Sequence, residues 1–280
     1  MTLGSSISPR SEGAVALHRE GAIAFVTLSN PGRLNAMTRA MWRELRAVFD
    51  GLQQDLLQND SGLRCVVVRG DGAAFCAGGD ISEYPSFRFE ESSLRAFHED
   101  EVWAALQAML DCPVPLVAQI EGACMGAGVE MASCCDIRLA GAGAKFGAPI
   151  AKLGFPMAPR EAALVHGAIG DVLARDMLLA AGVHGAQRLY DAGFLLKVLP
   201  DDELPAAVQA HAERIAGLAP QTARLHKKTF AALRAGATSA TSATSLNGLH
   251  GLLATAYDYA DSPEHREGIA AFLAKRTPNF

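Results

Sequence analysis

Residues 115–130 of the chain, PLVAQIEGACMGAGVE, decide the fold class. The first six residues form a short apolar run, which is typical of a strand buried on both faces. Residues 122–130 combine small side chains with glycine, and this pattern predicts a tight turn that opens a helix. The first N–H groups of a helix have no partner within it, and the helix dipole favours negative charge beside them. The stretch therefore predicts a strand, a turn and a helix whose start can hold an anion.

The same alternation of strand and helix continues along the chain. Residues 65–68, CVVV, predict another buried strand, and residues 93–110 have helical spacing. From Thr38, a good N-cap, apolar positions recur every three or four residues and predict an amphipathic helix. Period-two alternation over residues 15–27 predicts a hairpin of half-buried strands. These patterns predict right-handed βαβ units, so we expect an α/β protein.

The strand patterns end after about Leu199. Three later segments have helical spacing: 202–217, 220–235 and 264–276. We therefore expect a flexible leader (1–13), a sheet-and-helix core (14–199) and a C-terminal helical region (200–280). The tandem Ala-Thr-Ser repeat at 237–245 has small side chains that bury little surface, which predicts a slack connection.

Composition narrows the classes of partner. The chain has 25 basic and 30 acidic residues, so its net charge of −5 argues against nucleic acid. Half the residues are apolar, which is enough for a large core and argues against disorder. The six cysteines show no CxxC spacing, as expected of reduced thiols in the cytoplasm. With no signal-peptide, lipidation or membrane-spanning pattern, we expect a soluble cytoplasmic protein.

Several chemistries lack their motifs. No two of the eight histidines lie two, three or four residues apart, so we expect no metal site. Gly70-x-Gly72 and Gly126-x-Gly128 begin the dinucleotide-binding pattern but lack its third glycine. The phosphate-loop and GxSxG motifs are absent too.

Two segments favour a binding site made of backbone groups. Residues 74–81, AFCAGGDI, follow a buried strand directly, and their small residues leave backbone N–H groups unobstructed. One donor from this segment and one from 122–130 would form an oxyanion hole. The alternative interpretation is that both segments are tight turns in which glycine serves only a steric purpose.

Three segments resemble the enoyl-CoA hydratase/isomerase (crotonase) superfamily, in the same order, over roughly residues 14–280. They are AFCAGGDI at 74–81, IEGACMGAGVEMASCCDIRLAGAGAKFGAPIAKLGFP at 120–156, and HREGIAAFLAKRTPNF at 265–280. The resemblance implies a spiral of ββα units, a C-terminal helical trimerisation region and a homotrimer or hexamer. It also implies a CoA-thioester substrate, with no tightly bound cofactor, and two peptide N–H groups that hold the thioester oxygen as it becomes an enolate.

The resemblance places those two donors on Cys76 and on Ala127, where relatives usually have glycine. It places the edge of the CoA along the same loop, at Ala74, Cys76, Ala77, Gly78, Gly79 and Asp80. Lys275 resembles the basic residue that reaches CoA phosphate in a neighbouring subunit, and Arg33 is a weaker candidate for a phosphate contact.

The acid/base positions depart from the family. Glu130 matches the first glutamate of the hydratases, although a glutamate in the first turn of a helix is also favoured structurally. The second glutamate falls on Ile150, and the aspartate of some isomerases and aromatic dehalogenase-like members falls on Ala158. Since a general acid or base contributes about 10²–10⁴-fold, hydration by the usual pair should be slow. The replacement candidates, each more often a solvated side chain, are Glu83, Tyr84, Glu90, Glu91, His98, Arg160 and Glu161.

We therefore expect an acyl-CoA thioester enzyme with a backbone oxyanion hole and one glutamate, similar to an enoyl-CoA hydratase or isomerase. The other candidates are an enoyl-CoA isomerase, an acyl-CoA hydrolase, a decarboxylase, and a catalytically impaired CoA-binding scaffold. The empty second position favours the scaffold, and the retained Glu130 opposes it.

Overall fold

The computed structural model describes residues 13–58, 61–237 and 251–280. The predicted leader, apart from Gly13, and most of the Ala-Thr-Ser repeat lie outside these ranges. None of the helices in the described ranges is long and apolar enough to cross a membrane.

Two sheets form the framework. The larger contains, in spatial order, β1 (Ala14–Glu20), β2 (Ile23–Ser29), β3 (Cys65–Gly70), β4 (Leu116–Ile120), β6 (Ile137–Gly141) and β9 (Lys197–Leu199). The smaller contains β5 (Ala123–Met125), β7 (Lys145–Gly147) and β8 (Val183–Gly185), in that order. In the larger sheet β1 and β2 are antiparallel, and every later pair is parallel.

Helices surround the sheets. They are α1 (Arg39–Gln58), α2 (Glu91–Ala96), α3 (Ala104–Asp111), α4 (Ala127–Cys134), α5 (Pro159–Ile169), α6 (Asp171–Leu179), α7 (Ala186–Asp191), α8 (Leu204–Ala216), α9 (Pro220–Ala237) and α10 (Pro263–Leu273). A π-helical segment, Phe97–Trp103, joins α2 to α3, and 3₁₀ turns form at Ile81–Ser86, Pro149–Leu153 and Asp258–Asp261.

Strand, strand and helix repeat as a unit along the chain. The order β1-β2-α1 recurs as β4-β5-α4 and as β6-β7-α5, with β3, α2, the π-helical segment and α3 between the first unit and the second. In the two later units the first strand joins the larger sheet and the second strand joins the smaller one. The α/β class and the ββα spiral are therefore confirmed.

The larger sheet is covered on both faces. Helices α1 and α3 pack on one face, where Val26 and Leu28 of β2 lie in the main core. On the other face, Phe25 of β2 packs with Leu204 and Val208 of α8. The predicted hairpin exists, but the expectation of two half-buried strands is wrong for β2 because α8 covers its second face.

The local signals for α1 are confirmed. The Thr38 hydroxyl oxygen accepts the Met41 N–H at 3.1 Å, and the predicted apolar stripe is buried in the main core. The predicted helix over 93–110 is also present, but its middle third is π-helical. Side-chain periodicity does not distinguish this irregularity from a regular helix, and π-helical turns are frequent at functional sites.

Candidate active site

The two glycine-containing loops that follow β3 and β4 are joined by backbone hydrogen bonds. The Cys76 N–H donates to the Ala123 carbonyl at 2.9 Å, and the Met125 N–H donates to the Cys76 carbonyl at 2.8 Å. The Phe75 N–H donates to the Glu121 carbonyl at 2.7 Å. This short parallel ladder fixes the two loops side by side.

The hydrogen bonds between the loops contradict one of the two predicted oxyanion-hole donors. The Cys76 N–H is already paired and the residue is completely buried, so its assignment to the oxyanion hole is wrong. The neighbouring Ala77 and Asp80 amides are also paired, with the carbonyls of Leu34 and Met37. The Gly79 N–H has no acceptor among the described residues, so it is an unpaired amide of this loop.

Ala127, the second predicted donor, keeps a free amide. It is the first residue of α4, and its N–H has no acceptor in the part of the chain that the structure describes. The positive φ that this turn needs is at Gly126 (φ 46°), and Ala127 has no positive φ. Alanine in place of the usual glycine therefore introduces no backbone strain.

Gly79 and Ala127 line one cavity of about 220 Å³. Of the residues predicted to contact CoA, Gly78 and Ala77 line the cavity as well, whereas Ala74 and Cys76 are buried and do not line it. A Cβ at Gly79 would lie 2.2 Å from the Tyr84 hydroxyl oxygen, so a side chain at this position would require the Tyr84 ring to move.

Glu130 faces the same cavity from the first turn of α4. Its pKa is raised to about 8, mainly because burial disfavours the charged form and secondly because of the nearby Glu161 carboxylate. Near neutral pH the carboxyl group is therefore mostly protonated. A group that ionises close to working pH can both donate and accept a proton, which suits general acid/base chemistry.

The family follows from comparison with known proteins. The sequence model of the Enoyl-CoA hydratase/isomerase family matches residues 18–280. The chain belongs to this family, the crotonases. Its fold and its site can therefore be compared with those of crotonase relatives.

Two kinds of relative agree with this assignment. The 2,3-dehydroadipyl-CoA hydratase of Escherichia coli is 32% identical over 271 residues, covering 94% of this chain and 96% of that protein. The solved structure of an enoyl-CoA hydratase/carnithine racemase from Magnetospirillum magneticum is 36% identical, with a TM-score of 0.85 and 95% of each chain covered. An enoyl-CoA hydratase structure from Polaromonas sp. JS666 is 27% identical, with a TM-score of 0.81 and coverage of 95% of this chain and 99% of that one.

Much of the cavity lining besides Glu130 is apolar. Ile150 and Ala158, the two positions at which the crotonase resemblance places carboxylates, both line the cavity. The residues beside them in the lining are Pro149, Leu153, Phe155, Pro156 and Met157. A water molecule would therefore find no carboxylate at either position.

Two of the seven replacement candidates, Tyr84 and His98, line the cavity. Burial raises the pKa of Tyr84 to about 12. The Nδ1 atom of His98 lies 3.1 Å from Oε1 of Glu161, which is itself buried.

The other candidates are held elsewhere. Glu83 accepts the Arg39 N–H at 2.7 Å, and Arg160 pairs with Glu99 at 2.7 Å. Glu90 and Glu91 are exposed, and Glu91 pairs with Arg95. None of these four side chains lines the cavity. Glu161 does not line it either, but it contacts His98, which does.

The predicted CoA contacts at Arg33, Asp80 and Lys275 lie outside the cavity wall. Arg33 Nη1 is 2.7 Å from Asp80 Oδ1, and the Asp80 carboxylate also accepts the Ser82 N–H at 3.0 Å. These contacts make Asp80 the cap of the 3₁₀ turn that follows. Lys275 is exposed just after α10.

Sequence reasoning missed Arg88. Its guanidinium carbon lies 3.7 Å from the centre of the Phe155 ring and 4.6 Å from that of Tyr84, at the cavity wall. Burial lowers its pKa, and none of the ion pairs among the described residues includes it. No sequence motif marks Arg88, because its position depends on aromatic residues from two separate segments.

Proposed function

We propose that this crotonase forms an enolate from an acyl-CoA or enoyl-CoA thioester, with the Gly79 and Ala127 amides as donors to the enolate oxygen. The observation that carries the proposal is that two unpaired amides and Glu130 face one cavity. Fixed donors aimed at developing negative charge are worth about 2.7–4 kcal/mol each in comparable sites. CoA enters as part of the substrate, and no tightly bound cofactor is needed.

Glu130 moves the proton at C2 of the acyl group. In hydration its neutral carboxyl group protonates C2 of the enolate, and in isomerisation its carboxylate removes one proton and returns it to another carbon. Its raised pKa supports both directions near neutral pH. Hydration is the leading reaction, and double-bond isomerisation is the first alternative because it needs only one such group.

A substrate panel tests this function. Purified protein is incubated with enoyl-CoA and saturated acyl-CoA thioesters, and absorbance of the conjugated double bond and product mass are followed. We expect loss of the conjugated absorbance with a gain of one water, or a shifted double bond at unchanged mass. Release of free CoA together with the free acid would identify a hydrolase, and loss of CO₂ from the acyl group would identify a decarboxylase. Tight binding without any turnover would identify a scaffold and contradict the enzymatic proposal.

Arg88 favours an acyl chain that carries a distal carboxylate. A guanidinium that has no acidic partner among the described residues and lies at the cavity wall suits such a group. The similarity to a 2,3-dehydroadipyl-CoA hydratase, whose name denotes a thioester of a dicarboxylic acid, supports the same class. Hydrogen bonds to charged groups contribute about 1.5–3 kcal/mol, so Arg88→Gln should lower kcat/KM about 10–100-fold for such a substrate.

The matched comparison separates charge recognition from folding. Crotonyl-CoA, which has no carboxylate on its acyl group, should be used equally well by the wild type and by Arg88→Gln. Arg95→Gln, which removes an exposed arginine paired with Glu91, is the control variant. An equal loss on both substrates would show that Arg88 only supports the cavity wall.

The C-terminal helices support assembly with copies of the same chain. Phe272 of α10 is 80% exposed, and Ile269 and Leu273 beside it and Phe230 of α9 are exposed too. Exposed apolar clusters of this kind mark interaction surfaces. We infer a homotrimer or hexamer in which residues 200–280 contact a neighbour and Lys275 reaches the neighbour's CoA.

Removing residues 258–280 should lower both the sedimenting mass and the affinity for CoA. Because the Arg64 guanidinium donates to the Phe280 carbonyl at 2.6 Å, the deletion can also perturb the core. Phe272→Asp, which alters an exposed side chain only, separates the two effects. A variant that stays oligomeric and binds CoA normally in both tests would contradict the assigned role of this region.

A further inference from the structure

His98 and Glu161 form a pair of titratable side chains at the cavity that Glu130 lines. His98 is on the π-helical segment, and Glu161 is in the first turn of α5, 63 residues away. His98 Nδ1 and Glu161 Oε1 are 3.1 Å apart. His98 lines the same cavity as Glu130 and Ile150, so three separate segments place these side chains around one space.

Glu161 needs an explanation because it is only 2% exposed. A buried carboxylate is costly unless it is paired, and among the described residues the hydrogen-bond partner of this side chain is His98. Arg160, its neighbour in sequence, pairs with Glu99 instead. The start of α5 favours negative charge at Glu161, but it does not account for a histidine between that charge and the cavity.

The arrangement fixes the orientation of the imidazole. If Nδ1 carries a proton, it donates that proton to the Glu161 carboxylate, and Nε2 is left as an acceptor. The Phe97 ring meets the imidazole edge to face, with centroids 5.1 Å apart. An imidazole held on one side by a carboxylate is the usual form of a general base.

We propose, on the basis of the proposed enolate chemistry, that His98 is the second proton-transfer group of this site. Glu161 is its positioning residue. From the π-helical segment, His98 thus supplies the function that Ile150 cannot perform. The proposal concerns water addition, since enolate formation itself needs only the two amides and Glu130.

In hydration, water adds to C3 of the enoyl group and a proton adds to C2. His98 Nε2 takes a proton from water while the water oxygen forms a bond to C3 of the enoyl group. The π electrons of the C2–C3 bond move towards the thioester oxygen, which the Gly79 and Ala127 amides hold as an enolate. Glu130 gives its proton to C2, the carbonyl re-forms, and the proton on His98 returns to Glu130 through solvent.

Other charged groups on the π-helical segment are engaged elsewhere. Glu99 pairs with Arg160, and Glu101 with Arg39 and Arg43. Around the cavity, the titratable and charged side chains that accompany His98 are Glu130, Tyr84, Arg88 and, through its hydrogen bond to His98, Glu161. A pH profile of hydration therefore reports on this small set.

Two reactions distinguish this proposal from the proposed function. Exchange of the C2 proton of a saturated acyl-CoA in D₂O needs Gly79, Ala127 and Glu130, whereas water addition to an enoyl-CoA also needs His98. We expect His98→Gln to slow hydration about 10²–10⁴-fold and to leave C2 exchange within about threefold of the wild type. Glu130→Gln should abolish both.

Glu161→Gln should act through His98. It should lower kcat for hydration with little change in KM, and it should change the pH dependence of kcat. Arg160→Gln is the matched control, because it changes the adjacent residue on the same helix and removes the pair with Glu99 and the contact with the Trp103 ring without touching the His98–Glu161 bond. It should leave hydration unchanged.

Chemical rescue excludes a purely structural role. Imidazole added to His98→Ala should restore part of the hydration rate, which a residue needed only for packing would not show. Circular dichroism and CoA titration check that each variant is folded and binds. Hydration that persists in His98→Gln, or that imidazole fails to restore in a folded His98→Ala, overturns the proposal.

The wild type alone gives the last distinction. If it exchanges the C2 proton but adds no water to any enoyl-CoA, the enolate function stands and the role of His98 is wrong. If it does neither, both proposals are wrong.

Discussion

The two sides of the cavity are built in different ways. On one side, Gly79 and Ala127 contribute backbone amides, and Glu130 is the titratable side chain beside them. Elsewhere in the lining, Ile150 and Ala158 contribute apolar side chains at the positions where the crotonase resemblance places carboxylates. A main-chain donor survives a change of side chain, as Ala127 shows, whereas a carboxylate is lost by a single substitution. In the proposed function, enolate formation therefore depends on backbone groups that tolerate substitution, and the second step depends on side chains that do not.

The largest effect should come from Glu130→Gln. Removing the proton-transfer group should lower the rate of the observed reaction about 10²–10⁴-fold and leave CoA affinity nearly unchanged. Steady-state kinetics and ligand titration measure the two quantities. Glu90→Gln, at an exposed residue before α2, is the control. If the variant keeps most of its rate, Glu130 only stabilises the start of α4 and does not transfer a proton.

The same substitution should change stability with pH. The folded protein holds the Glu130 proton more tightly than the unfolded chain, where the ordinary value is 4.5. Wild-type stability should therefore fall as pH rises from about 5 to about 8 and become constant above that, while the Gln variant escapes this loss. The accumulated difference is on the order of 5 kcal/mol. Urea unfolding at several pH values measures this difference. If the free energy of unfolding changes with pH equally in both proteins, the pKa of Glu130 is not raised by folding.

Ile150→Glu introduces a carboxyl group at one of the two apolar positions of the cavity lining. A second carboxylate facing Glu130 should raise hydration of crotonyl-CoA, by about tenfold or more, if the new group ionises. The apolar wall opposes ionisation by raising its pKa, so the gain should grow with pH. Ile150→Gln, similar in size but unable to take a proton, is the control. No gain at any pH would mean that a carboxylate at this position does not reach the reacting water.

Ala127→Gly should have the smallest effect. The amide and its place at the start of α4 are kept, and Ala127 already has an unstrained backbone. Activity should stay within about twofold of the wild type, and stability should fall by up to about 1 kcal/mol because glycine is more flexible in the unfolded chain. A large loss of activity would show that the methyl group itself positions the thioester.

Most of the framework could be predicted from local sequence. The CVVV run at 65–68 became β3, and Thr38 caps α1, because short-range periodicity and capping decide such elements. The second face of β2 could not be predicted, since it is covered by α8, which lies about 180 residues further along the chain.

The site divides in the same way. Glu130 and Ala127 follow from the motif and face the cavity. The choice between Cys76 and Gly79 depends on which amide pairs with residues 121–125, and sequence spacing carries no information about that pairing. The contact between His98 and Glu161 is equally invisible, because it joins segments that meet only in the folded protein.

The ladder between the two loops also has a consequence for the exchange of amide hydrogens with solvent. The Cys76 and Met125 hydrogens are locked in backbone bonds inside the protein and can exchange only when the loops separate. The Gly79 and Ala127 hydrogens, a few residues away, belong to residues that line the cavity and have no acceptor in the described part of the chain. In the free protein the two donors should therefore exchange far faster than their neighbours, and a bound thioester should slow these two hydrogens selectively. Because the backbone hydrogen bonds between the two loops hold both donors in position, a substrate oxygen could bind them without a prior rearrangement of the loops.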